Sequence, residues 1–157
     1  MKVLCLGGGP AGLYFAISMK LRDPSHLVTV MERNKANDTF GWGVVLSDET
    51  LDNLKTNDPE SAAAIRGSFV YWDDVAVHYR GAVMRSGGHG FCGIGRKLLL
   101  NILQDRARAL GVELRFETEI DSVEPYRDFD VIVAADGVNS KVRTAGAHVF
   151  KIGRAHV

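Results

Sequence analysis

Four groups of residues in this sequence have the types and spacing to hold an anionic nucleotide. The first is Gly7-Gly8-Gly9-Pro10-Ala11-Gly12. Gly7 permits a sharp turn, Gly9 lets backbone approach a pyrophosphate, and Gly12 lets a following helix pack close to the preceding strand. A helix that opens at Pro10 and Ala11 offers unpaired N–H groups and a partial positive charge to the phosphates. The second group is Glu32, with Arg33 beside it, twenty residues beyond Gly12. A carboxylate at the tip of a second strand accepts the hydroxyl hydrogens of an adenosine ribose and repels a 2′-phosphate; a solvated surface glutamate is the plainer alternative.

The third group is Gly93-Ile94-Gly95-Arg96 at the head of a long helical pattern. A cation in a first helical turn opposes the macrodipole, so Arg96 needs an anion nearby. Either a pyrophosphate or a local carboxylate meets that need. The fourth is Val131-Ile132-Val133-Ala134-Ala135-Asp136-Gly137, an apolar strand running into an Asp-Gly turn. In an open α/β sheet this places Asp136 at the carboxyl edge, where ligands bind. Taken alone, Asp-Gly is an ordinary turn.

The elements that must position these residues follow from periodicity. Lys2 to Leu6 is an apolar strand, Ala11 to about Leu21 a helix apolar on most of its surface, and Leu27 to Met31 a second strand. Together they make a βαβ unit of the size expected for a nucleotide-binding crossover. No third strand-helix repeat follows. Thr39 to Ser47 is rich in glycine and aromatic residues, and Asp48 to Asn57 is a short helix capped by Ser47 or Asp48. Val70 to Ser86 reads as two strands joined near Arg80-Gly81, followed by five glycines within Ser86 to Gly95. Arg96 to Leu110 is a helix stopped by Gly111, and strands at Val112 to Glu117 and Asp130 to Ala134 complete the pattern.

The totals are those of a soluble globular chain of one domain: 157 residues, 46% hydrophobic and 24% charged. Nineteen basic residues balance nineteen acidic ones with no run of like charge, which gives no reason to expect nucleic acid or membrane as a partner. Gly7 to Pro10 interrupt the apolar N-terminus, so it reads neither as a signal peptide nor as a membrane span. Cys5 and Cys92 have no metal-ligand spacing and point to a reducing, cytoplasmic location. Nothing suggests a metal site. His89 sits between two glycines and is given no acid-base role, and Cys92 is expected to be packed rather than reactive.

The four groups, in this order, resemble the aromatic-ring hydroxylase family of FAD-dependent monooxygenases. There an Arg-led helix and a DG motif follow the first glycine motif; Arg96 matches the former, and Asp136, Gly137, Ser140 and Arg143 the latter. Phe40 to Asp48 and Ser86 to Lys97 are similar to the salicylyl-CoA hydroxylase and 2-aminobenzoyl-CoA monooxygenase branch. The resemblance implies an α/β, Rossmann-like FAD-binding domain with a β-meander insertion and a returning parallel strand. It further implies FAD as cofactor, NAD(P)H as reductant, and insertion of one oxygen atom of O2 into the ring of an aryl-CoA thioester. By the same likeness Trp42, Gly43 and Val45 line the flavin or its ribityl chain, although ordinary core packing also accounts for Trp42. A halogenase or reductase of the same fold, or a non-catalytic nucleotide-binding module, would share these features.

Full enzymes of that family are more than twice as long, so residues 1–150 are expected to be an incomplete FAD-binding domain that binds FAD weakly if at all and does not hydroxylate by itself. Ile152 to Val157 reads as the translation of a common sequencing-adapter string, so residues 151–157 are expected to be a non-native tail, with a true short protein bearing an odd tail as the alternative.

Overall fold

A computed structural model describes residues 1–46 and 48–148. In chain order the first elements are β1 (Lys2–Leu6), α1 (Pro10–Arg22), β2 (Leu27–Met31), β3 (Gly43–Leu46), α2 (Asp48–Asn57) and α3 (Pro59–Arg66). There follow β4 (Val70–Trp72), β5 (Val75–Tyr79), β6 (Ala82–Ser86), β7 (Phe91–Gly95), α4 (Arg96–Ala109), β8 (Glu113–Arg115), β9 (Val131–Ala134) and α5 (Lys141–Ala145). The chain divides into two compact units, one made of Met1–Asp38 with the stretch from Leu103 onward, the other of Thr39–Ile102.

The first unit is built on a four-stranded sheet in the order β8-β2-β1-β9, and every pairing in it is parallel. β1 lies inside the sheet and loses both faces to the interior: Val3, Leu4 and Cys5 have no exposure and Leu6 only 4%. That is why it reads as a continuous apolar run rather than an alternating one. On one side Leu4, Leu6 and Met31 form a cluster with Ile120, Val123, Tyr126, Phe129, Ile132 and Val142. α1 packs against β1 and β2, burying Leu13, Ala16 and Ile17. Its buried Lys20 ties the following turn by donating to the carbonyls of Pro24 and His26.

In the second unit β7 runs antiparallel between β3 and β4. β5 and β6 form a separate hairpin whose turn takes left-handed φ values at Arg80 (49°) and Gly81 (81°), the geometry a two-residue hairpin favours. Its pairing places Val75, Val77 and Tyr79 on one face with Met84 and Ala82, and every residue of both strands is exposed. α2 and α3 form a helical pair. Between them the buried Asp58 accepts the Ser61 hydroxyl at 2.6 Å, and Pro59 opens α3 without wasting a donor.

The α/β architecture, the βαβ start and the parallel return of β9 match expectation. Four local readings do not. Val70 to Ser86 holds three strands, because the chain breaks at Asp73, whose carboxylate accepts the N–H groups of Gly88 and Gly90. The glycine run before Arg96 contains β7, the middle strand of its sheet. α3 was not foreseen. β8 is shorter than Val112 to Glu117 because its partner β2 ends at Met31 and Glu117 takes φ 53°. The expected α2 cap, Ser47 or Asp48, and the supposed tail 151–157 lie outside the described residues and side chains.

Two features of the first unit set its tolerance to change. Gly7 has φ 107°, and a Cβ there would stand 2.3 Å from the Ala135 carbonyl oxygen; a Cβ on Gly12 would stand 2.1 Å from the Gly7 oxygen. A Cβ on Gly9 meets nothing within 4 Å. Gly12→Ala and Gly7→Ala should therefore each cost about 3 kcal/mol or more in urea unfolding. Gly9→Ala should cost less than about 1 kcal/mol; equal losses at all three positions would contradict this geometry. Separately, burial pushes the Cys5 thiol from its usual value up to about 12. The folded chain keeps a proton that the unfolded chain releases from about pH 9, so stability should fall as pH rises above that point. Cys5→Ala should flatten that slope in urea midpoints measured across the alkaline range.

Candidate functional site

In the first unit the glycine turn, Glu32 and Asp136 meet at the carboxyl ends of β1, β2 and β9. The turn is tied down by Gly7 N–H, which donates to the Met31 carbonyl at 2.8 Å, and it lies against β9's exit, since a Cβ on Gly7 would be 3.0 Å from Asp136 N. α1 opens at Pro10 with Gly9 as its N-cap, no side-chain cap and no acidic residue in its first turn. Its positive end therefore faces outward uncompensated, beside the open space over Gly9.

Glu32 is held from three sides. Its Oε2 accepts Gly8 N–H at 2.7 Å, and its Oε1 accepts both the backbone N–H and the side-chain amide of Asn34, at 2.8 and 2.7 Å. Two carboxylate oxygens offer about four acceptor directions, so one remains, on Oε2. Sequence reasoning found Glu32 but missed Gly8 and Asn34, which fix its rotamer. The spacing from Gly12 signalled the carboxylate, and nothing comparable marks its two partners. Arg33 is exposed.

Asp136 is poised in a similar way. Its Oδ2 accepts Lys141 N–H at 3.0 Å, while its Oδ1 is buried without a hydrogen-bond partner among the described residues. A buried acceptor left unpaired is costly, and a ligand hydroxyl would satisfy it. Gly137 follows with φ 83°. The rest of the DG segment has local work: Ser140 caps α5 by accepting Arg143 N–H at 3.0 Å, and the Arg143 guanidinium donates to the Val138 carbonyl. Lys141 reaches Asp121 and Glu119, which raise its pKa.

The second unit gathers the remaining expected residues. Gly43 pairs with Gly95 and Val45 with Gly93 across β3 and β7, and Arg96 N–H donates to the Trp42 carbonyl at 3.2 Å. The Arg96 side chain passes Gly41, where a Cβ would lie 3.6 Å from its Cδ. Its Nε is buried and has no acceptor among the described residues. Trp42 is 99% exposed, which removes core packing as its explanation. Val45 is also exposed.

Other chemistry-bearing residues have structural duties. His89 stacks on Phe91 and bonds Ser86 Oγ at 2.7 Å. Beside it the N–H groups of Gly88 and then Gly90 hold the Asp73 carboxyl below its ordinary range. Cys92 is buried and donates to the Leu46 carbonyl at 3.2 Å. Among the described residues no cluster of His, Cys, Asp or Glu could hold a metal ion, and no helix is long and apolar enough to cross a membrane.

The geometry fits a dinucleotide: open space over Gly9 at a bare helix start, one spare acceptor direction on Glu32, and an unpaired buried oxygen on Asp136. Comparisons with known proteins point the same way. Residues 1–129 match a family model described as an FAD binding domain. Salicyloyl-CoA 5-hydroxylase of a Streptomyces species is 46% identical over 150 residues, which make up 96% of this chain and 29% of that protein. The 3-hydroxy-4-methyl-anthranilyl-[aryl-carrier protein] 5-monooxygenase of Streptosporangium sibiricum is 31% identical, with 100% of this chain and 45% of that protein covered. Among solved structures, the tetrameric form of 2-methyl-3-hydroxypyridine-5-carboxylic acid oxygenase superposes with a TM-score of 0.78 at 26% identity, covering 96% of this chain and 42% of that one. The chain thus spans less than half the length of each of these relatives. With its glycine turn, its carboxylate at the end of β2 and its returning β9 all inside or beside the matched region, the chain belongs to the FAD binding domain family.

Proposed function

We propose that residues 1–150 are the FAD-binding part of a cytoplasmic monooxygenase that hydroxylates the aromatic ring of an aryl-CoA thioester at the expense of NAD(P)H and O2. The observation that carries this reading is the convergence of three groups with unused capacity on one sheet edge: the uncapped start of α1, the spare direction on Glu32 Oε2 and the unpaired Oδ1 of Asp136. The aryl-CoA part rests on the 46% identity to salicyloyl-CoA 5-hydroxylase, and the location on two cysteines that are free and buried.

In this reading Gly7, Gly9, Pro10, Ala11 and Gly12 shape the helix start that takes the pyrophosphate, and Gly9 keeps the approach clear. Glu32 accepts a ribose hydroxyl through Oε2 while Gly8 and Asn34 hold it in place; its charge disfavours a 2′-phosphate there. Arg33 lies beside it to offset phosphate charge. Asp136 accepts a ligand hydroxyl, and Gly137 turns the chain away behind it. Arg96 supplies a second cation, and Gly43, Val45 and the exposed Trp42 offer an apolar surface to the flavin. Bound FAD supplies the activation of O2 that no side chain provides. The residues of this chain bind and orient it.

The test is the visible absorption spectrum of the purified chain after incubation with FAD and desalting. The expected result is partial retention of the flavin bands, as an incomplete domain allows, which Gly9→Val abolishes while the circular dichroism stays native. Glu32→Gln, which keeps the shape and loses one acceptor, should weaken retention about tenfold. Salicyloyl-CoA should perturb the flavin bands, and free salicylate should not. A natively folded chain that retains no flavin would overturn the proposal, and an equal response to both ligands would remove its thioester part.

A further inference from the structure

The helical pair α2–α3 encloses a cavity of about 190 Å3 lined by Leu51, Lys55, Pro59, Ala62, Ala63 and Arg66. Its floor is apolar and fixed: Leu51 and Ala62 are 2% and 7% exposed, and the Ser61–Asp58 bond of 2.6 Å locks the connection beneath. At its rim stand two exposed cations, Lys55 in the last turn of α2 and Arg66 at the end of α3. Neither side chain has a hydrogen bond or an ion pair among the described residues. None of the cofactor-binding residues proposed above lines this cavity.

Both cations suit the negative ends of their helices, which explains their charge but not their common placement around one apolar hollow. An apolar floor between two free cations matches a ligand with a flat or aliphatic body and phosphates at its margin. Given the aryl-CoA reading, on which this step rests, we propose that the α2–α3 groove binds the 3′-phosphoadenosine end of coenzyme A. The adenine lies over Pro59, Ala62 and Ala63, and Lys55 and Arg66 take the phosphates. The groove thereby takes the handle of the substrate and not the ring that reacts.

Isothermal titration of the full chain with coenzyme A, dephospho-coenzyme A and pantetheine tests this. Coenzyme A should bind, pantetheine should not, and loss of the 3′-phosphate or of either cation (Lys55→Gln, Arg66→Gln) should weaken binding about tenfold. The double variant Lys55→Glu/Arg66→Glu should abolish it. Each variant should keep native circular dichroism and flavin retention. Absence of coenzyme A binding by the unaltered chain, or binding that the natively folded variants leave unchanged, would overturn the groove assignment. So would capture of a phosphopantetheinylated carrier protein without binding of free coenzyme A. In each case the flavin response to salicyloyl-CoA reports independently whether the aryl-CoA reading stands.

Discussion

The first unit depends on a contact that leaves no room for a side chain. The start of α1 lies so close to the glycine turn that a Cβ on Gly12 would fall 2.1 Å from the Gly7 oxygen, and Gly7 in turn presses on the Ala135 carbonyl at the end of β9. Helix, first strand and returning strand are thus stacked backbone on backbone at one point. Everything later in the chain that contributes to this sheet edge has its position set there. Asp136 is next to Ala135, and Gly8, between the two contacts, is the residue whose N–H fixes Glu32. The close packing that makes the fold also leaves the helix start bare.

The polar groups on that edge divide into those already satisfied and those left open. Glu32 has three of about four acceptor directions filled by its own protein. Ser140, Lys141 and Arg143 are engaged locally. Asp136 Oδ1, and in the second unit Arg96 Nε and Thr39 Oγ1, are buried and unpaired among the described residues. Buried unpaired atoms of this kind are uncommon in a settled interior, and two of the three belong to residues that the sequence had singled out as site candidates on other grounds.

The legible part of the sequence was the part governed by short-range rules. The glycine spacing, the βαβ period and the Asp-Gly turn each reflect one backbone constraint, and the structure places all three as read. β7 was obscured because its alternation is real but muted: Cys92 and Ile94 point inward while Phe91 and two glycines occupy the other positions, so the glycine content masked a strand. α3 is eight residues long and rich in alanine, too short for a periodic signal to stand out. The split at Asp73 depends on N–H groups fifteen and seventeen residues away, which no local pattern announces. Trp42 shows the limit from the other side. Its residue type suggested a core anchor as readily as a ligand wall, and only its 99% exposure removes the first.

The β5–β6 hairpin has a consequence for handling the protein in solution. One face carries Val75, Val77, Tyr79 and Met84, the last three at least half exposed, and two-stranded hairpins have open edges that can pair with other chains. The formal net charge is zero at pH 7, so no long-range repulsion separates neighbouring molecules near that pH. This small ribbon is therefore one surface through which neighbouring molecules can associate. Buffers set well away from neutrality will keep the chain dispersed longer than neutral ones, whatever its folding free energy.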